Sequence, residues 1–321
     1  MLEYKKDGLK ASVALMPTLL LMAVFTFWPI FRTLVTAFME GYNTNMSFIE
    51  FFQRLGSSTK LTLRWFKDIF VIQDGLFLKS LRNTFEMAII SVPISIIVSL
   101  FIAVALNGIK KGQGILQTIF FLPYVTNSIA LGMVFSFIFS SNYGLINALI
   151  EAFGGEPQAW IFRITSTGAQ PTRASILFVL MVYTVWNGLA FKIIVFLSGL
   201  QSIDKQYYQA AQIDGASRWT VFRRITVPLL SPMILYITIT SLIGAFKAYN
   251  SVIAIFGHNK FGPSSSPNEF ITVVGFIYKY LPLHNNTNYL SVVSAGSLIL
   301  FSIIMLITLI QFYVGKKRVH Y

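Results

Sequence analysis

About six apolar runs, each long enough to cross a lipid bilayer, constrain this chain more than any other feature. A spanning helix needs about 20 mostly apolar residues. The candidates are Val13 to Leu34, Leu81 to Leu106, Ile115 to Phe139, Ser175 to Leu197, Leu229 to Phe256 and Val292 to Val314. Only 12% of the 321 residues are charged and 55% are hydrophobic, whereas a soluble domain carries about 25% charged residues. The expected fold class is therefore all-α and integral to the membrane, with about six transmembrane helices.

An even number of spans puts both termini on one side. Lys5, Lys6 and Lys10 precede the first run, and Lys110 and Lys111 occupy the tight turn after the second. Lys205, Arg218, Arg223 and Arg224 lie between the fourth and fifth, and Lys316, Lys317 and Arg318 follow the last. All fall on one side, which the positive-inside rule makes cytoplasmic. Arg54, Lys60, Arg64, Lys67, Lys79 and Arg82 face the other way, but in a long loop where the rule counts little. A net charge of +13 would raise nucleic acid as a partner in a soluble chain. Here it reads as topology, so the expected surroundings are membrane lipid and no nucleic acid. The first run holds Pro17, continues through Trp28-Pro29 and has no small-residue cleavage site, so it reads as an uncleaved span. The absence of cysteine excludes disulfides, thiolate metal sites and cysteine nucleophiles.

Three outer segments have content. Trp65, Phe66, Ile69 and Phe70 show helical spacing, predicting a short amphipathic helix at the outer interface that Asp74-Gly75 ends. Gly144 to Phe153 predicts a second short helix, with Trp160 as an interfacial anchor. The third, Gly257 to Asn288, contains a turn-rich Phe261–Pro267 run.

Catalytic chemistry is missing. No G-x-x-x-x-G-K-[ST] phosphate loop, H-E-x-x-H or G-x-S-x-G occurs. His258, His284 and His320 lie outside the spans without ligand spacing. Polar groups inside the spans are the candidates for function, because burying them in hydrocarbon is costly. Glu86 has a pairing partner in Arg82, one helical turn away. Lys192 is placed to snorkel to the inner interface. Lys247, with Phe246, Tyr249 and Asn250, predicts a water-lined cavity, to which Tyr183, Trp186 and Asn187 add an aromatic and amide face. Such a path suits a hydroxyl-rich solute: rings cover the apolar faces of sugars, and amides bond hydroxyls. A lone Glu86 is a poor proton relay. Neither pseudo-repeats nor broken midplane helices, the marks of a self-contained secondary carrier or channel, are visible, though that reading remains the alternative.

Tyr207 to Pro232 is the longest polar, helix-compatible stretch between two apolar runs. Asp204 is placed to cap a first helix and Ser217 a second. Gly215 is placed to end the first, since glycine tolerates positive φ. Trp219, Phe222 and Ile225 recur three apart and form an apolar face. Small residues at Ala210 and Ala211 offer a flat face for close approach by another body. An ordinary amphipathic hairpin at the membrane surface fits the same pattern.

This stretch resembles the coupling motif of bacterial ATP-binding-cassette importer membrane subunits, whose core reads E-A-A-x-x-D-G followed by spaced Phe, Ile and Pro. Here Gln209-Ala210-Ala211-Gln212-Ile213-Asp214-Gly215-Ala216 precedes Phe222, Ile225, Pro228 and Pro232. Leu197–Ile203, Asp74–Phe77 with Asn83-Thr84, and Gly144–Asn147 with Trp160 resemble the carbohydrate-uptake branch. The resemblance implies a type I importer permease fold with a cytoplasmic coupling hairpin in a bacterial cytoplasmic membrane. Residues 74–314 would be the permease domain, 1–73 an N-terminal tail, first span and outer segment, and 315–321 a basic tail. It implies a second similar permease, two copies of a cytoplasmic ATPase and an external solute-binding protein. ATP and Mg would be bound by the ATPase, leaving no cofactor, metal or catalytic residue here. Gln209, Ala210, Ala211, Asp214, Gly215, Ala216 and Arg218 would form the docking site. Two positions depart from the motif: Gln209 replaces its glutamate, which puts a salt bridge there in doubt, and Asp204 replaces the usual proline. Lys247 stands where the maltose-type relative has an amide, which fits either an anionic solute or another hydroxyl donor.

Overall fold

The computed structural model describes residues 2–318 except 41, 43–46, 57–60, 73, 110, 258–259, 264 and 282–286. Lys60, Lys110, His258, His284 and His320 lie outside the described residues. The described chain is helical, apart from an isolated bridge between Met39 and Leu61. Its contacts separate it into two compact units, residues 1–77 with 276–301, and 78–275 with 302–321.

In the first unit, α1 (Leu2–Met22) passes through a π-turn (Ala23–Phe27) into α2 (Trp28–Thr36). The apolar window of this span is wholly unburied, so its surface is left to lipid or another chain. Beyond it, α3 (Phe48–Gly56) and α4 (Arg64–Val71) fold against Met39. The Met39 carbonyl accepts bonds from Trp65 Nε1 (3.1 Å) and Ser291 Oγ (3.0 Å). The sequence predicts α4 as an amphipathic interfacial helix. Its apolar face instead packs on protein, with Trp65 and Ile69 buried. Asp74 and Gly75 both take positive φ and end the segment, as their dipeptide predicts.

The chain then enters α5 (Leu76–Asn107), α6 (Gln113–Val125) and α7 (Ser128–Ile138), with α8 (Leu145–Ala152) between α7 and α9 (Arg173–Ser202). The polar stretch gives α10 (Lys205–Ile213), α11 (Arg218–Val221), a π-turn (Phe222–Thr226) and α12 (Val227–Leu229). Then come α13 (Ser231–Phe246), α14 (Asn250–Phe256), α15 (Val273–Tyr280) and α16 (Thr287–Arg318).

Four spans are single helices or nearly straight runs, and the third and fifth are bent pairs, giving up to six. The third departs from the sequence expectation of an unbroken run, whereas the bend of the fifth falls at the start of the expected Leu229–Phe256 run. The third bends by 99° between α6 and α7, and the fifth by 67° at Leu230. At the first bend Thr126 is extended and Asn127 Oδ1 accepts from the N–H groups of Ile129 (2.8 Å) and Ala130 (3.3 Å), starting a new helix. At the second, Pro232 in the first turn of α13 has no N–H with which to continue the preceding helix. A further break at Lys247–Tyr249 divides the predicted Leu229–Phe256 run. The short α7 and α14 pack tightly. A Cβ on Gly132 would fall 2.1 Å from that of Ala254, so only glycine allows this approach.

At the end of α9 remote from the polar stretch, one guanidinium gathers the second unit. Arg173 donates to Glu269 Oε1 (2.8 Å), Asn83 Oδ1 (2.8 Å) and Glu86 Oε2, and its charge lies 5.2 Å from the centre of the Phe270 ring. Glu86 also pairs with Arg82, as its spacing predicts (2.8 Å), and Glu269 pairs with Lys79. Asn83 Nδ2 donates to the carbonyls of Glu269 and Ile271, and Thr84 Oγ1 accepts from Val273 N. Burial alone would raise the pKa of Glu269, but the bonds and charges of Lys79 and Arg173 outweigh it and hold the carboxyl below its usual value. A group with a depressed folded pKa stabilises at pH above the ordinary carboxylate range and loses that contribution as pH falls through its lowered value.

Arg173→Leu strands partly buried carboxylates and should cost about 3 kcal/mol in thermal unfolding of the detergent-solubilised chain. Acidification from about pH 7 to about pH 3 should lower the wild-type midpoint, and Glu269→Gln should flatten that slope. An unchanged slope in Glu269→Gln would remove this carboxylate from the account.

Candidate functional site

The polar stretch forms a capped helical hairpin. Asp204 Oδ1 accepts from Gln206 N (2.9 Å) and begins α10. The helix ends with paired bonds from Gly215 N to Gln212 O (3.2 Å) and from Ala216 N to Ala211 O (2.9 Å). This is a Schellman ending, which needs a residue at positive φ, and Gly215 has φ +67°. A Cβ there would meet nothing within 4 Å, so the requirement for glycine is conformational rather than steric. Ser217 Oγ then accepts from Thr220 N (3.2 Å) and caps α11.

The hairpin is held to α5 by stacking, and its two arms are joined by a hydrogen bond. Trp219 stacks on Phe222 (5.4 Å), and Phe222 stacks on Phe101 of α5 (5.5 Å). The Tyr208 and Thr226 hydroxyls meet at 3.4 Å.

The residues expected to dock are divided by the fold. Gln209, Ala210, Asp214, Gly215 and Arg218 are exposed, Ala216 is half-buried and Ala211 is buried within the chain. Ala210 and Ala211 therefore do not share one outward face, because neighbours on a helix lie about 100° apart. The open stripe is instead Tyr207, Ala210 and Ile213, at i, i+3 and i+6, with Ile213 87% exposed. Sequence reasoning missed Tyr207 and Ile213, although their three-residue spacing carried the signal. Trp219 adds further exposed apolar surface. Exposed aromatic and aliphatic side chains on a polar helix mark a contact surface.

The second group lies around α7, α9 and the break after α13. Tyr183 is fully buried, and its hydroxyl donates to the carbonyl of Ser128, the first residue of α7. Tyr183 and Trp186 hold the Phe135 ring between them, at 5.4 and 5.2 Å. Tyr183 thus anchors the bent third span, while Trp186 and Asn187 retain partial exposure. Phe246 is buried edge-on against Phe85 (4.9 Å), so it supports the break from within. Lys247 and Asn250 are exposed, and Tyr249 is half-buried 6.3 Å from Phe261. Non-helical backbone within a span is tolerated where it is buried in protein or lines a water-filled cavity, and Lys247 and Asn250 are the open side chains of this break.

Lys192 departs from the sequence expectation. It does not snorkel. It is buried and donates to the Gly188 carbonyl one turn earlier in α9 (2.9 Å). Any larger residue at 188 would meet its ammonium, since a Cβ would lie 2.8 Å away. Trp160 is likewise more than an interfacial anchor. Its Nε1 donates to Asn147 Oδ1 (2.8 Å), and Asn147 Nδ2 closes the loop on the carbonyls of Ser141 and Gln158. Among the described residues no group of His, Cys, Asp and Glu is arranged to hold a metal ion.

The family described as binding-protein-dependent transport system inner membrane component matches residues 91–320. The chain is 29% identical over 306 residues to a lactose transport system permease of Rhizobium radiobacter, covering 94% of this chain and 92% of that one. It is 31% identical over 302 residues to a multiple sugar-binding transport system permease of Streptococcus mutans, with 93% and 92% covered. It is 26% identical to a trehalose/maltose transport system permease of Thermococcus litoralis, with 99% and 97% covered. In fold it is similar to a chain of a bacterial alginate ABC transporter crystallised with an alginate pentasaccharide-bound periplasmic protein. That likeness has a TM-score of 0.75 at 20% identity, covering 98% of this chain and 96% of the other.

Gly215→Val should loosen the hairpin, because a β-branched residue at positive φ costs about 1–2 kcal/mol. Limited proteolysis across Asp204–Thr226 should quicken by about tenfold, and Gly215→Asn should stay near wild type. Equal cleavage of all three would contradict the backbone argument.

Proposed function

This chain belongs to the family of binding-protein-dependent transport system inner membrane components, and from that premise we propose that it is the permease subunit of an ATP-driven importer of carbohydrate. The observation that carries the reading is the hairpin: a rigidly capped helix, stacked onto α5 through Phe222, that presents Tyr207, Ala210 and Ile213 outward. The chain has no phosphate loop, so the energy of ATP must reach it from another protein. An apolar stripe with Gln209 beside it is suited to a cleft on a cytoplasmic ATPase, with Gln209 supplying hydrogen bonds where a glutamate would supply charge.

Two ATPase copies with ATP and Mg, a second permease and an external solute-binding protein complete the proposed assembly. The unburied first span supports contact with a second permease, and the family description supports a binding-protein partner. The basic residues of the hairpin support a cytoplasmic location for that side and for both termini, by the positive-inside rule. The chain itself acts without catalytic residues, as a path that changes access.

The solute class rests on the sugar permeases among the relatives. Lys247 and Asn250 at the break, with Trp186 and Asn187, offer donors, an amide and a ring to a polar solute. Phe246 and Tyr183 shape this path from behind. The bent helices do not restore the self-contained carrier as the better reading, because the family match at 91–320 spans both bends.

Affinity purification of the chain from its native membrane should bring an ATPase and a second permease with it, and the chain alone should move no sugar in vesicles. Ala210→Trp, at an exposed position, should cut ATPase recovery by about tenfold or more while leaving insertion intact, as truncating or blocking an interface centre does. Ala211→Trp cannot test docking, because that site is inside the fold. Asn250→Leu should lower sugar uptake by about tenfold through one lost polar contact. Sugar transport by the purified chain alone, driven by an ion gradient, would overturn the reading.

A further inference from the structure

The fifth and sixth spans enclose a groove that the importer reading does not use. It has a volume of about 530 Å³ and runs between the α12–α13 segment and the last turns of α16, both within the second unit. Its size is that of a ligand site rather than a hydration pocket. Along it the helices touch closely, for a Cβ on Gly315 would lie 2.4 Å from the Leu235 side chain. The walls are largely apolar, with Leu235, Thr238 and Ile310 among them, yet Ser231 Oγ and Gln311 Oε1 are buried there without a hydrogen-bond partner. A buried polar atom left unpaired is costly, so such atoms mark a missing partner.

Both walls have the same order of polarity along the chain. On one, exposed Arg223 and Arg224 precede the groove, and apolar residues follow deeper. On the other, exposed Lys316 lies at the same basic end, with Gln311 and Ile310 deeper. None of these three cations forms an ion pair among the described residues. A glycerophospholipid has this layout, with an anionic head, polar glycerol and acyl chain in order. Basic pockets between helices on the cytoplasmic side hold anionic headgroups.

We propose that this groove is a binding site for an anionic phospholipid of the surrounding bilayer. The phosphate lies among Arg223, Arg224 and Lys316. One acyl chain fills the apolar walls past Gln311, and an ester carbonyl of the glycerol region accepts from the Ser231 hydroxyl. Phosphatidylglycerol, anionic where phosphatidylcholine is zwitterionic, is the fitting probe. An occupied groove would brace the helix that leaves the hairpin against the last span.

The test uses the full chain with whatever subunits copurify, reconstituted in vesicles of equal phosphatidylglycerol and phosphatidylcholine, then released in mild detergent for native mass spectrometry. The wild type should retain phosphatidylglycerol over phosphatidylcholine by about fivefold or more, the scale set by a single cation near a charged surface. Arg223→Gln, Arg224→Gln and Lys316→Gln together should bring that ratio close to one. Thr238→Trp should displace retained lipid of both kinds while the subunits stay together. Ser231→Ala, which keeps the groove's shape, should lower retention of both lipids without changing their ratio. Equal retention of both lipids by the wild type, or a preference that survives removal of the three cations, overturns the proposal. Loss of a protein subunit in Thr238→Trp, with lipid retention unchanged, would make the groove a protein interface instead.

Discussion

The guanidinium of Arg173 is the interaction on which the second unit depends. It begins α9, and it reaches Asn83 and Glu86 on α5 and Glu269 in the segment before α15. Charges held at the end of apolar helices are tolerable only when paired and hydrogen-bonded. Each member here is supported by another: Glu86 by Arg82, Glu269 by Lys79, and Asn83 by the carbonyls of Glu269 and Ile271. Neighbouring contacts then follow from short range, with Thr84 capping the start of α15 and Phe270 lying beneath the guanidinium. The clamp ties the start of α9 to α5 at Asn83 and Glu86, and α9 runs thirty residues from there to the hairpin.

Much of this was legible in the sequence where the signal is local. Length and hydropathy locate the spans. Asp204, Gly215 and Ser217 locate the hairpin's caps, because capping depends on the residue and its near neighbours. The pairing of Arg82 with Glu86 follows from four-residue spacing. Arg173 and Glu269 were not legible as partners: 96 residues separate them, and no periodic rule reaches that far. The bends escaped for a different reason. Thr126-Asn127 and Lys247–Tyr249 are short polar interruptions in long apolar runs, and window-averaged hydropathy smooths them away. Lys192 escaped because snorkelling is the usual economy for a lysine near a helix end, while here the Gly188 carbonyl gives its ammonium a nearer partner.

Part of the candidate site was legible only as a neighbourhood. Residues 246–250 were read as one solute-facing group, but the break after α13 turns Phe246 inward and leaves Lys247 and Asn250 open. Ala210 and Ala211 were read as one face, and the helix separates them. In both cases the residue types identified the region, and the backbone geometry decided which side chains could meet a partner. The stripe through Tyr207, Ala210 and Ile213 is the sharper form of the proposed docking surface. Its rigidity comes from Gly215 and from the Phe101–Phe222–Trp219 stack, which together let a force applied to α10 pass into the spans.

The account's central claim is that this hairpin is the point at which an ATPase grips the chain. The sequence contains no cysteine, so Ile213→Cys introduces a single thiol at the most exposed apolar side chain of the Tyr207–Ala210–Ile213 stripe. The decisive measurement is the rate of maleimide labelling of that thiol in membranes, with the chain alone and with the full assembly. The account predicts fast labelling in the chain alone, slowed by about tenfold or more when the ATPase is bound, the protection expected at an interface centre. It also predicts that a Cys placed at exposed Tyr143, beyond the hairpin, labels equally in both. Equal labelling at position 213 with and without the ATPase would contradict the claim.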